Sequence, residues 1–210
     1  MISFDTLLAE IGLYVAGCPD ITVTTEIRNA VIALCADGLA WQIDGDVETH
    51  PADEPLYDLP LPSLSKLAEV IDVYIDGVLV NPTPPDQLYL KFQNWHTATN
   101  APMTYFVDAS SLRLVPTPNK DVTIQTRIAV KPSRTATGVE DFLYEKYWEE
   151  IIKPGALYRL QIIPRQPWSD PVQAVYHRDQ ARIGVDQLKI ATLRGNTRRS
   201  VNAIPRRFGG

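Results

Sequence analysis

The side chains able to do chemistry are few and scattered. Three histidines stand in unrelated surroundings: His50 in an acidic stretch, His96 beside Trp95, and His177 in a helical pattern. No HExxH, HxH or ordered Ser/His/Asp set connects them, so they read as solvated or packed imidazoles rather than ligands or bases. The acids of "DGDVETHPADE", Asp44 to Glu54, resemble a calcium loop only loosely: the glycine comes second and a proline interrupts, so a solvated loop is expected. Cys18 and Cys35 lack metal or catalytic spacing. Cys35 falls on an apolar helical stripe and should pack as a small hydrophobe. Glu149 and Lys153 stand four apart and can pair across a helical turn. A hydrolase built on Glu149 and Glu150 would need a partner group that nothing in the pattern selects. No Walker loop and no GxGxxG after a strand occurs. The residues point to no catalytic, cofactor or metal site.

The elements that must carry these side chains follow from periodicity. In "SFDTLLAEIGLYVAG", Phe4, Leu7, Leu8, Ile11 and Val15 form one stripe of a short helix, ended by Gly17 and Pro19. "TEIRNAVIALCADGLAW" repeats the pattern with Ile27, Val31, Leu34, Cys35, Gly38 and Trp41 on one face. Between Ile43 and Pro132, short apolar runs alternate with Pro, Asp, Asn and Gly. "PLYDLPLP" is a candidate strand. "AEVIDVYIDGVLVNP" reads as a hairpin turning at Asp76-Gly77, and "MTYFVDASSLRLVP" as a second. "QLYLKFQ" alternates Leu88, Leu90 and Phe92 against Tyr89 and Lys91, as a strand would. "DVTIQTRIAVKP" sets Val122, Ile124, Thr126 and Ile128 on one face. Helical spacing returns in "GVEDFLYEKYWEEIIKPGALYRLQIIP", where Pro154 should kink or split the helix near Ile151. A last helix follows, capped by Ser169 or Asp170 with Pro171 in its first turn; Val172, Val175, Tyr176, Ile183 and Leu188 suggest its buried side.

The fold expected is α+β: a helical bundle from residues 1–42 and 139–195, an inserted antiparallel β-sandwich or barrel-like unit over 43–138, and an extended C-terminal arm over 196–210. Tyr144, Tyr147 and Trp148 lie close together on one helix. Such aromatics are usually core, but Tyr and Trp are also enriched at subunit interfaces.

Composition narrows the class. At 45% hydrophobic and 21% charged, the chain of 210 residues can bury a sizeable core. No apolar run reaches the roughly 20 residues that span a bilayer, and the N-terminus lacks the pattern of a signal peptide. A reducing compartment and free thiols are therefore expected. Charge is unevenly placed. Residues 1–158 hold twenty-two acids and ten Lys/Arg, whereas residues 159–210 hold three acids and ten Lys/Arg. The last segment, "RGNTRRSVNAIPRRFGG", has five arginines and no acid. Its polar content predicts an extended strap. Arg198, Arg199, Arg206 and Arg207 can grip a neighbour's acids or carbonyls, and Val201, Ile204 and Phe208 can enter a groove. On DNA those four arginines would neutralise about four phosphates, for a salt slope near −4. A nucleic-acid-binding module is therefore the alternative, opposed by the acidic body.

The stretch "GCPDITVTTEIRNAVIALCADGLAW" resembles the N-terminal region of tailed-phage head–tail connector, or adaptor, proteins. The matching residues are Gly17, Cys18, Pro19, Arg28, Asn29, Ala30, Ile32, Cys35, Leu39, Ala40 and Trp41. "YDLPLP" and "VIDVYIDGVLVNP" are similar to the family's early strands, and the order helices, β unit, helices matches too. One departure is Gly38, where a longer polar residue is common; inside a helix it would cost up to about 1 kcal/mol relative to Ala. The resemblance implies a structural protein of the virion neck, made in the host cytoplasm, with no enzymatic activity and no cofactor. It implies a homo-oligomeric ring, usually of twelve copies, beneath the portal protein. That ring extends the channel for genomic DNA, which passes without sequence-specific binding, and offers a docking surface to the next tail or nozzle component. It also implies that the C-terminal segment reaches along the portal.

Overall fold

The computed structural model describes residues 1–91 and 94–193. In chain order its elements begin with β1 (Ile2–Ser3), α1 (Phe4–Gly12), α2 (Asp20–Asp37), β2 (Gln42–Asp44), β3 (Glu48–His50) and β4 (Leu56–Asp58). Next come β5 (Ser65–Ile75), β6 (Val78–Leu79), α3 (Pro85–Lys91), β7 (Thr104–Asp108), β8 (Ser111–Val115), β9 (Val122–Pro132) and β10 (Gly138–Val139). The chain closes with α4 (Asp141–Tyr147), a π-helical segment (Trp148–Ile152), α5 (Lys153–Gln161) and α6 (Pro171–Leu193). The mixed α+β class is as expected.

The two helical parts meet although more than a hundred residues separate them. Ser3 caps α1 by accepting the Asp5 N–H at 3.2 Å. β1 pairs antiparallel with β10, Ile2 opposite Val139, which places the start of α1 beside the start of α4. The Met1 ammonium bonds the Asp141 carboxylate at 2.7 Å across that junction. One apolar core then joins Phe4, Leu7 and Ile11 of α1 and Ile27, Val31 and Leu34 of α2 to Leu143, Ile152, Leu157 and Leu160.

Pro154 acts where the sequence places it. Lacking an N–H, it cannot continue the α-helical ladder, and the turn before it widens: the Lys153 N–H bonds the Trp148 carbonyl five residues back. The α6 cap is Asp170, whose carboxylate accepts the N–H groups of Val172 and Gln173 at 3.1 and 3.0 Å. The buried side of α6 differs from the expectation. Leu188 is buried, but Val172, Val175, Tyr176 and Ile183 are exposed, and Ala174 takes the inner face. Close approach explains this. A Cβ on Gly184 would stand 2.6 Å from Ile151 Cγ1, so α6 lies too near the π-helical segment for large side chains. Gly38 is likewise no flaw inside α2. It follows the helix as its C-cap, and a Cβ there would meet Leu34 O at 2.9 Å and Leu188 Cδ2 at 3.0 Å.

The strands form two main antiparallel sheets. One runs β2-β9-β5-β6, with β3 also on β9; the other runs β4-β8-β7. β9 alternates as its sequence demands, burying Val122, Ile124, Thr126 and Ile128. Asp76 and Gly77 both take positive φ, 50° and 75°, as a tight two-residue hairpin turn requires. Tyr105, Leu112 and Leu114 of one sheet pack with Val73, Ile75 and Ile124 of the other. "QLYLKFQ" is not a strand. Residues 85–91 form α3, because Pro85 suits a first helical turn and Asp86 complements its N-terminal dipole. Leu88 alone needs burial there; Leu90 is 87% exposed. Phe92 lies outside the described residues.

Candidate functional site

The three histidines occupy separate places. His50 Nε2 lies 2.8 Å from the Glu54 carbonyl oxygen, His96 stacks on Trp95 with centroids 3.5 Å apart, and His177 is on α6. Burial pushes His177 below the ordinary histidine range against the pull of Asp170. Among the described residues, no group of three His, Cys, Asp or Glu side chains is placed to hold a metal. Cys18 and Cys35 are free thiols. Burial pushes the Cys35 thiol up to about 12, so it stays protonated and unreactive at neutral pH. An aromatic disulfide reagent should therefore label at most one cysteine, Cys18, in the folded protein and both after denaturation. Rapid labelling of two native thiols would contradict the packing of α2.

Tyr144 and Trp148 come together, with ring centroids 5.5 Å apart, and Glu10 of α1 joins them; the Tyr147 ring instead has the Lys146 ammonium 5.1 Å from its centre. The Trp148 indole N–H donates to Glu10 at 2.6 Å and the Tyr144 hydroxyl donates to it at 3.2 Å. Trp148 and Tyr147 are buried, while Tyr144 is half-buried, its phenol raised by burial and by the nearby Glu10 carboxylate. This cluster fastens α1 to the later helices within one subunit. Sequence reasoning found the aromatics but not Glu10, whose partners are 134 and 138 residues away. Beside it, Lys153 bridges Glu149 at 3.1 Å, as the four-residue spacing predicts. Its ammonium also lies 5.5 Å from the centre of the Tyr14 ring. Burial opposes that charge, but Glu149 outweighs it and holds Lys153 above its usual range.

The arm residues Arg198, Arg199, Val201, Ile204, Arg206, Arg207 and Phe208 lie outside the described residues.

Two surface features escape a reading of periodicity alone. The outward face of α6 is apolar: Val172, Tyr176, Ile183 and Ile190 are 79%, 62%, 53% and 50% exposed. The last three repeat every seven residues, so they fall in line along the helix. The second feature is an open groove of about 370 Å³ between α2, α5 and α6. Its lining includes the small and apolar Ala33, Gly155, Ala181 and Val185, together with Arg159, Arg178, Arg182, Asp37 and Asp186. The signal was present as small residues on three helices, but only packing brings them to one place. A helix apolar on two opposite faces, beside a groove, suits association with other proteins.

The sequence profile of the SU10 adaptor protein family matches residues 2–205. No curated protein matches the chain.

Proposed function

Because this chain belongs to the SU10 adaptor protein family, a family of phage head–tail adaptors, we propose that it closes into a ring of twelve copies beneath the portal protein at the virion neck. The ring extends the DNA channel and presents the surface on which the next tail or nozzle component docks. In this reading the role is structural and non-enzymatic. Residues 1–42 and 139–195 are the helical wedge of each subunit, 43–138 project from it, and the arm 196–210 straps the subunit to the portal. The observation that carries the proposal is the family match over nearly the whole chain. The apolar outer face of α6 supports it, because a contiguous exposed stripe marks an interaction surface. A heterologous contact between two different patches closes into a ring when the rotation per subunit divides a full turn. An acidic wall would also let DNA slide past without holding it.

Light scattering coupled to size-exclusion chromatography, with and without portal rings, tests this. A twelve-chain particle, free or only on the portal, is the expected result. A monomer that ignores portal rings overturns the proposal.

A further inference from the structure

We propose that the groove between α2, α5 and α6 receives the acidic bulge Gly45–Glu48 of a second copy of this chain, with Val47 seated on its floor. This rests on the ring reading above and names the contact that closes the ring.

The bulge is built into a sheet edge. β2 and β3 pair with successive parts of the same strand: Asp44 stands opposite Arg127 and Glu48 opposite Ile124. Three residues, Gly45, Asp46 and Val47, therefore span the distance that Thr126 and Gln125 cover on β9, and the surplus is pushed outward. The bulge is held on both sides. The Gly45 N–H donates to the Thr126 carbonyl at 2.7 Å, Asp44 faces Arg127 Nε at 3.3 Å, and Glu48 accepts the Tyr57 hydroxyl at 2.9 Å. Its shape is set before any partner arrives, which lowers the entropic cost of binding. Bulges and charges on a sheet edge also discourage edge-to-edge pairing. Val47, 63% exposed between Asp46 and Glu48, does not serve that purpose. A side chain of that kind fits a partner with an apolar floor and a cationic border.

The groove has both. A Cβ added to Gly155 would lie 3.4 Å from the Ala30 Cβ and 3.9 Å from the Ala181 Cβ, so small residues keep the floor open. Arg178 is engaged by Asp179 at 2.9 Å. Arg159 and Arg182 form no ion pair among the described residues. Asp37 and Asp186 also border the groove and balance Arg159 and Arg182 in number, so its complementarity to the acidic bulge is local, at the two guanidinium groups that form no ion pair among the described residues. Groove and bulge are different patches, one among helices and one on a sheet edge, so the contact is heterologous and propagates from copy to copy.

The test uses the full-length chain with portal rings, reading ring formation by light scattering against protein concentration. Val47→Asp and Arg182→Glu should each raise the half-assembly concentration by about tenfold or more, as expected for a central contact. Their melting transitions should be unchanged, because both side chains are exposed. Combining Asp46→Lys with Arg182→Glu should recover assembly relative to Arg182→Glu alone. Rings that form normally in both single variants, or a combined variant with no recovery, overturn the proposal and leave the ring reading standing. A wild-type chain that forms no ring overturns both. A full-length Arg182→Glu variant that assembles poorly while Val47→Asp assembles normally identifies the arm as the occupant, and the proposal falls.

Discussion

A chain ending at Gly195 should melt like the full-length protein and should lose docking on portal rings by a hundredfold or more in apparent affinity, about 2.7 kcal/mol or more. The first half follows from where the cores are. The last deeply buried side chain of the helical core is Leu188, and Val185 packs against its edge. The second half follows from composition. Residues 194–210 carry five of the chain's twenty Lys/Arg side chains, no acid, and an apolar set of Val201, Ala203, Ile204 and Phe208. Paired arginines at Arg198-Arg199 and Arg206-Arg207 bracket Val201, Ala203 and Ile204, and Phe208 follows the second pair. Planar guanidinium groups suit carboxylates and carbonyls on a protein partner, and the apolar centre has a use only in a groove. Binding to DNA would use the arginines alone. The two readings separate by salt. A DNA contact should weaken about as the fourth power of salt concentration, whereas a strap with buried apolar residues should retain part of its affinity. Normal docking by the truncated chain would sink the strap. A truncation that spares docking but removes salt-sensitive DNA binding would favour the nucleic-acid module.

Much of the fold was legible because single residues punctuate it. Asp76-Gly77 marks a hairpin, since few other pairs accept positive φ twice. Pro154 marks a break because no other residue lacks the N–H, and the π-helical turn lies directly before it. β9 was legible from alternation over eleven residues. α3 was not. Seven residues with three alternating apolar positions satisfy a strand pattern, and the decisive sign was the proline and aspartate at the start. The orientation of α6 was hidden for a different reason. Large apolar residues lie on its outer face and small ones on its inner face, so hydrophobicity points the wrong way. What turns α6 inward is the close approach at Gly184, a property of Ile151 on another element. The candidate surfaces share that difficulty. Small residues of α2, α5 and α6 do not announce a groove, and the bulge at Gly45–Val47 exists only because β9 supplies two residues against three.

Trp148→Ala should cost the isolated subunit about 3–5 kcal/mol, a large share of the roughly 5–15 kcal/mol available to a folded domain. Trp148 is 3% exposed and lies in the π-helical segment, where its loss leaves a cavity in the helical core. It also removes the shorter of the two bonds to Glu10, but Glu10 is only half-buried, so water can replace the indole and the cavity carries most of the cost. Tyr144→Phe removes that longer, half-exposed bond and should cost no more than about 1 kcal/mol. The contrast distinguishes core from interface, two roles that favour the same residue types. Denaturant unfolding below the concentration of assembly reads the subunit alone. A core residue lowers the midpoint there, independent of concentration, with little change in slope. An interface residue leaves that midpoint in place and moves only the concentration at which rings form. Trp148→Ala is expected to do the first, because its indole is fastened to a glutamate of its own chain. A stable, monomeric Trp148→Ala variant would return this aromatic cluster to the subunit boundary.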